Sequence, residues 1–272
     1  MSALVSNKRR ARWLAIGASL LIGATIWELA GQLSNPSFMA PLLGSEILGP
    51  LIGNTGHPGT LPRLVTFIEQ GEFLGSLLSS LLLFATGFVI ALLIAIPFGL
   101  VLARLVLLRV ALEDYILVLY VTPMVAMIPF ILAIIGFDFW PKVLVVMLFA
   151  FFPTLYNTLE GARSVKPELI EVAKSFRTTE RALWRDVLIP YTLPYALTGI
   201  RQATGRALVG MIAAEFFLST SGLGEEIMVS SRNFDMAGVL ATIIVITLLG
   251  VGLMRLVQAC EARFAVWRGL DR

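Results

Sequence analysis

Cysteine, histidine and charged residues are scarce in this chain. Among its 272 residues there is one cysteine, Cys260, and one histidine, His57, and only 14% of the residues are charged. One cysteine excludes an intrachain disulfide and a cysteine-based metal cluster, and one histidine in a Gly/Pro-rich loop cannot build a metal site. We therefore expect no metal site, no redox chemistry and no cofactor held by this chain.

Two further absences narrow the class of protein. The sequence has no Gly-x-x-x-x-Gly-Lys-Ser/Thr loop, so the chain is not expected to hydrolyse ATP. Its apolar stretches hold no Ser/His, paired-Asp or metal constellation that an intramembrane enzyme would need. The 21 basic and 18 acidic residues are nearly balanced, and the basic ones cluster at segment ends. Binding of nucleic acid is therefore not expected.

Apolar residues dominate what is present. They make up 57% of the sequence, so the lipid of a bilayer must be the main solvent of the chain. A hydrocarbon core of about 30 Å needs about 20 apolar residues per helix. We predict an all-α polytopic membrane protein with six transmembrane helices, at about 13–33, 75–103, 114–136, 142–160, 192–218 and 238–258.

Lysine and arginine distinguish the two sides of the membrane. They are enriched in the N-terminal segment, in 104–113, in 161–191 and in the C-terminal tail, whereas the alternate connections carry few. Because cytoplasmic connections carry the excess of these residues, both termini are predicted to be cytoplasmic. The predicted parts are 1–74, a first transmembrane helix and long extracytoplasmic loop; 75–258, a five-helix core with the cytoplasmic loop 161–191; and 259–272, a cytoplasmic tail.

The loop 161–191 is a polar segment in an otherwise apolar sequence. Pro167 suits the first position of a helix, and Glu168 and Glu171 would lie near its positive end. Thr178 or Thr179 can cap a second short helix. The first helix would present one apolar face, made of Leu169, Val172, Ala173 and Phe176. Either this segment docks with a soluble partner, or it rests as an amphipathic hairpin on the lipid headgroups.

A family resemblance favours docking. Glu171-Val172-Ala173, followed by Ile189-Pro190, resembles the EAA loop of binding-protein-dependent ABC importer permeases. The later runs Leu193-Pro194-Tyr195, Gly199-Ile200-Arg201, Gly205-Arg206-Ala207, Ala213 to Phe216 and Ser221 to Gly224 resemble the sulfonate/taurine/nitrate-type branch. The resemblance extends from about residue 75 to the C-terminus.

This resemblance implies a type I ABC importer-like fold and a set of partners. The implied assembly is a homodimer of permeases in the bacterial inner (cytoplasmic) membrane, with two cytoplasmic ABC ATPase subunits that bind ATP and Mg²⁺ and an extracytoplasmic substrate-binding protein. The implied coupling helix enters the ATPase. Its contact residues would be Glu168, Leu169, Glu171, Val172, Ala173, Ser175, Phe176, Arg177 and Thr178.

Arg177 departs from the family pattern, which usually has glycine at this position, in the bend between the two short helices. A residue with φ > 0 is expected there, and arginine would cost roughly 1 kcal/mol or would force a different turn. The sequence leaves open whether the bend is regular or the coupling geometry is altered.

Glu28, Arg201, Arg206 and Glu215 are ionisable residues that fall inside the predicted spans. Glu28 is expected to reach water at the outer end of its helix. Arg201 and Glu215 lie within about 40° of each other around their helix axis, and Arg206 is rotated by about 140° from Arg201. The three either line a translocation path for an anion or hold helices together. Small residues on the same helix predict close packing.

The function predicted is that of a permease subunit of an ATP-driven importer. It would move a small anionic organic solute, such as a sulfonate, nitrate-like oxyanion, carboxylate or heterocycle, by alternating access. The alternative is a secondary transporter or channel that works without an ATPase. That alternative predicts coupling carboxylates at mid-membrane or an inverted repeat, and only Glu215 meets either condition.

Overall fold

The computed structural model describes residues 2–33, 40–43, 59–69, 71–218 and 221–264. All regular structure in these residues is helical. The helices are α1 (Ser2–Leu33), α2 (Thr60–Glu69), α3 (Glu72–Arg104), α4 (Val106–Val121), α5 (Met124–Ile135), α6 (Phe139–Arg163), α7 (Pro167–Ser175), α8 (Glu180–Leu183), α9 (Ile189–Leu218), α10 (Leu223–Arg232) and α11 (Met236–Phe264). A π-helical turn, Trp184–Leu188, joins α8 to α9. The all-helical prediction is confirmed.

The chain forms two compact units, and the first combines Met1–Ser76 with Glu226–Ile246. In it, Trp27 Nε1 donates to the carbonyl of Ala40 at 3.0 Å. Glu28 accepts from the backbone N–H of Leu43 at 2.8 Å and from Gln32 Nε2 at 3.0 Å. Glu28 is half-buried, and its carboxylate holds the segment that follows the helix. The expectation that it also reaches water at the outer end of the helix stays a prediction. His57 lies outside the described residues.

The second unit, Leu77–Glu225 with Thr247–Arg272, contains the largest core. Helices α3, α6 and α9 meet there through Phe84, Val146 and Met211. Ala203 and Ala207 of α9 are fully buried, which lets the helix backbones approach closely. The predicted close packing of α9 is confirmed at these positions. Gly205, on the same helix, has no atom within 4 Å of the place its Cβ would occupy.

The predicted span 114–136 is wrong as a single helix. It is divided into α4 and α5, whose axes differ by 99°. Thr122, which precedes Pro123, has ψ of 133°, and an extended residue before proline is what the proline ring imposes. The expected connection 104–113 is wrong too, since α4 begins at Val106.

Four described helices are long and apolar enough to cross a membrane: α1, α3, α6 and α11. The bent pair of α4 and α5 would make a fifth span. Helix α9 occupies the remaining predicted position with 30 residues, but it carries Arg201, Arg206 and Glu215 and is not among these candidate spans. A count of six spans therefore needs α9 to be accepted as a charged span.

Candidate coupling segment and charged helix

The segment predicted to couple to a partner begins as its sequence requires. Lys166 is the N-cap of α7 and has extended backbone angles, and Pro167 occupies the first turn together with Glu168. At the second short helix, Thr179 Oγ1 accepts from the N–H of Ala182 at 3.3 Å. The prediction of a threonine cap is therefore confirmed, with Thr179 as the capping residue.

Helix α7 has an inner and an outer apolar face. Ile170 and Ala173 pack on a small core made of Val165, Leu183 and Leu188. Leu169, Val172 and Phe176 point outward and are 43%, 55% and 80% exposed. The prediction that Ala173 lies on the same face as these outer residues was wrong. The outer face is left with three large apolar side chains that nothing in the described part of the chain covers.

The turn after α7 is a Schellman motif with arginine at its left-handed position. Arg177 has φ of 53°. Its N–H donates to the carbonyl of Lys174 at 2.8 Å, and the N–H of Thr178 donates to the carbonyl of Ala173 at 3.2 Å. These two bonds define the motif, in which glycine is usual at the residue with positive φ. The chain thus keeps the regular bend, with arginine strained at positive φ. Of the two expectations for this position, a strained arginine and a different turn, the first is confirmed.

Two ion pairs involve residues of the polar loop 161–191 and residues of α3 and α4. Arg104, the last residue of α3, is 3.1 Å from Glu180 of α8. Arg163, at the end of α6, is 3.2 Å from Glu113 of α4. Nearby, the Arg185 guanidinium hydrogen-bonds to Asp186 and lowers the pKa of that carboxyl from its usual value.

The three charged residues of α9 do not come together. Arg201 forms an ion pair with Glu261 of α11. Arg206 donates to the hydroxyl of Tyr120 at 3.0 Å, and its guanidinium carbon lies 4.9 Å from the centre of the Tyr120 ring. Each residue therefore has its own partner on another helix.

Glu215 is 1% exposed and is held by donors from two other elements. Its Oε1 accepts from Ser80 Oγ at 2.6 Å, and its Oε2 accepts from the N–H of Gly224 at 2.7 Å. A side chain at Gly222, where φ is 111°, would place its Cβ 2.3 Å from Glu215 Oε1. This carboxylate therefore organises the turn that contains Gly222 and Gly224.

The partners Ser80, Tyr120 and Glu261 were not among the residues predicted from the sequence. Glu261 had a weak signal, since it is an acidic residue near the end of the last apolar helix. Ser80 and Tyr120 had none, because a serine and a tyrosine in apolar stretches are unremarkable without a structure.

Known proteins are similar over most of the chain. Residues 95–266 match the family described as binding-protein-dependent transport system inner membrane component. A Bacillus subtilis (strain 168) protein, named as an aliphatic sulfonates transport permease, is 31% identical over 82% of this chain and 83% of its own length. The taurine transport system permease protein of Escherichia coli (strain K12) is 27% identical over 99% of both chains. The nitrate import permease protein of Leptolyngbya laminosa is 28% identical over 97% of this chain and 91% of its own. The resemblance stated from the sequence motifs is confirmed.

Proposed function

Because this chain belongs to the family of binding-protein-dependent transport system inner membrane components, we propose that α7 is the element that couples it to a cytoplasmic ATPase. The chain is a permease subunit of an ATP-driven importer, a multi-pass protein of the bacterial inner membrane. It is a transport component and not an enzyme. ATP and Mg²⁺ are assigned to the ATPase subunit.

The observation that carries the coupling proposal is the outer face of α7. Leu169 and Val172 are exposed on this nine-residue helix, and Phe176 is exposed at its C-cap. Burying such side chains contributes about 1.5–3 kcal/mol each, so a partner with an apolar groove would gain substantially by covering them. Glu168, Glu171, Ser175, Arg177 and Thr178 surround this face and complete the proposed contact.

The inner face of α7 would carry the movement onward. Ile170 and Ala173 are packed on Leu183 and Leu188, so a push on α7 moves this small core with it. The ion pair between Glu180 and Arg104 then links the segment to the end of α3. ATP-driven closure of the ATPases would in this way tilt the membrane helices between inward- and outward-open states.

The working assembly is proposed to be a homodimer, in contact with membrane lipid, that carries two ATPase subunits and receives solute from an extracytoplasmic binding protein. Each copy would cross the membrane six times with both termini in the cytoplasm, with α9 as the charged span. Gln202, Arg206 and Val209 form an exposed strip on α9. An exposed arginine on a membrane-spanning helix needs water or protein beside it, which a path between two copies would provide.

The solute is proposed to be a small organic anion. Arg206 supplies a guanidinium that matches sulfonate or carboxylate oxygens. The relatives named for aliphatic sulfonates, taurine and nitrate support an oxyanion. Arg201 and Glu215 lie on the same helix, and their partners on other helices would hold the helices that surround the path.

Co-purification from membranes tests the coupling proposal. The tagged chain should bring its ATPase subunit with it, and Phe176→Asp or Glu171→Lys should lose the ATPase or uncouple its activity from uptake. Phe234→Asp is the matched control, because Phe234 is exposed to a similar degree but lies between α10 and α11. A chain that recruits no ATPase and yet moves solute in vesicles would instead be a secondary transporter or channel.

A further inference from the structure

A cavity of about 250 Å³ lies beside the break between α4 and α5. It is lined by both sides of the break and by two further helices: Tyr120, Thr122, Met124, Phe149, Phe152 and Arg206 are among its residues. All of these belong to the second unit. The cavity therefore exists because Pro123 turns the chain, and it has one cationic group in its wall.

Arg206 differs from the other charged residues of α9 in how it is held. Arg201 is paired with a carboxylate, and Glu215 is satisfied by Ser80 and Gly224. Among the described residues, the partner of Arg206 is Tyr120, which contacts it through its hydroxyl and its ring face and carries no charge. Within the described residues no carboxylate lies within 4.0 Å of its guanidinium, so its positive charge faces the cavity without neutralisation.

A second source of positive potential opens on the same space. Met124, which lines the cavity, is the first residue of α5, a helix of 12 residues. Its N-cap is Pro123, and no side chain caps the first turn. The N–H of Ala126 donates to the carbonyl of Pro123 at 2.9 Å. The remaining N–H groups of a helix N-terminus attract anions, independently of any nearby arginine. A guanidinium and a helix N-terminus thus favour an anion at one place.

The rest of the wall is apolar and aromatic. Phe152 forms a tilted pair with Tyr120, with ring centres 6.3 Å apart. A second cavity of about 210 Å³ shares Thr122, Met124, Leu148 and Phe152 with the first, and its own surface is wholly apolar. For comparison, an engineered apolar cavity of about 150 Å³ holds a benzene molecule. The two adjoining cavities are therefore large enough for an aromatic ring beside a ligand's anionic group at Arg206.

We propose that this cavity is a binding site inside the permease for an anion with an aromatic or other flat apolar body, its oxyanion on Arg206 and its body against Phe152. The proposal rests on the proposed importer function and adds to it. The permease would itself select for an apolar body, in addition to whatever selection the binding protein makes.

The test uses the full-length permease with its ATPase subunits in phosphatidylcholine nanodiscs, without binding protein. Three probes are compared by equilibrium binding: benzenesulfonate, the neutral isostere benzenesulfonamide and the ring-free ethanesulfonate. Benzenesulfonate should bind about tenfold more tightly than either of the others, because each of them lacks one of the two features that the site recognises. Equal binding of benzenesulfonate and benzenesulfonamide would overturn the proposal.

Substitutions assign the binding to the cavity. Arg206→Gln should weaken benzenesulfonate binding by about tenfold, Arg206→Lys should weaken it less, and Arg232→Gln, a matched loss of charge on α10, should leave it unchanged. If Arg206→Gln proves unstable, Arg206→Lys provides the test. The site would be contradicted if this variant bound benzenesulfonate as tightly as the wild type does and did not prefer it to benzenesulfonamide.

ATP-driven uptake by the wild-type complex is measured in parallel. Uptake with no Arg206-dependent binding would refute this site and leave the importer function intact, whereas absence of ATP-driven uptake would refute the importer function itself.

Discussion

Ser80 Oγ bridges Glu215 and the backbone of the turn after α9. It donates to Glu215 Oε1 at 2.6 Å and accepts from the N–H of Leu223 at 2.8 Å. Both Ser80 and Leu223 are fully buried, so water cannot replace either bond. One hydroxyl therefore joins α3, the end of α9 and the start of α10.

Ser80→Ala should destabilise the protein by about 1–3 kcal/mol, because it leaves a buried N–H without an acceptor and a buried carboxylate with one donor fewer. Ser79→Ala is the matched control. Ser79 forms an exposed hydrogen bond with Ser221 Oγ at 3.2 Å, so its removal should cost less than about 0.5 kcal/mol. Thermal unfolding of both variants in detergent gives the comparison, and equal midpoints would contradict the bridge.

Gly222→Ala should be more damaging still. The position has φ of 111°, and the added Cβ would lie 2.3 Å from Glu215 Oε1. Backbone strain and this clash together should cost at least about 2 kcal/mol. Gly252→Ala, inside α11 with no atom within 4 Å of the new Cβ, should instead be neutral or stabilising by about 0.5–1 kcal/mol. Similar unfolding of the two variants would show that the turn does not depend on Gly222.

Arg177→Gly should stabilise the coupling segment by up to about 1 kcal/mol, since glycine has no penalty at φ of 53°. Arg177→Val should destabilise it, because a β-branched residue is disfavoured at positive φ. ATP-driven uptake should survive the change to glycine. Loss of uptake in a well-folded Arg177→Gly variant would mean that the proposed ATPase contact depends on the arginine side chain itself. Arg181→Gly serves as a control for loss of one exposed arginine.

A double-mutant cycle at Arg201 and Glu261 separates the two roles considered for Arg201. Arg201→Met should cost about 1–3 kcal/mol, because Glu261 is mostly buried and loses its guanidinium partner. Adding Glu261→Met should recover most of that loss. We expect the double variant to keep uptake, as a structural pair predicts. A stable double variant without uptake would place Arg201 on the translocation path.

The coupling segment shows how much local sequence can predict. Pro167 at the first turn and Thr179 as a cap act on their own neighbours, so both could be found from the chain alone. The inward orientation of Ala173 could not be predicted. A helix of nine residues has several apolar positions, and the neighbouring core decides which of them are packed inward. The sequence predicted a residue with positive φ at this bend but did not show whether Arg177 would adopt it. The backbone shows that Arg177 does.

The charged helix shows the limit. Arg201, Arg206 and Glu215 were recognised because charge inside an apolar helix is conspicuous. Their side-chain partners are 60, 86 and 135 residues away, and apart from the weak signal at Glu261 nothing in the sequence distinguishes those residues from others of their type. The cavity beside Arg206 was hidden for the same reason, since it depends on a bend of 99° at Thr122 and Pro123 and on the helices that surround it.

Composition and hydropathy thus determined by themselves that this is a helical membrane protein and where most of its apolar helices lie, and short motifs indicated a permease. Those properties depend on the solvent of each segment and on interactions within a few residues. The tertiary structure alone decided which charges are paired, which apolar face of α7 stays exposed and where a cavity opens. Such contacts join residues distant in the chain, and they form only when whole helices pack against each other.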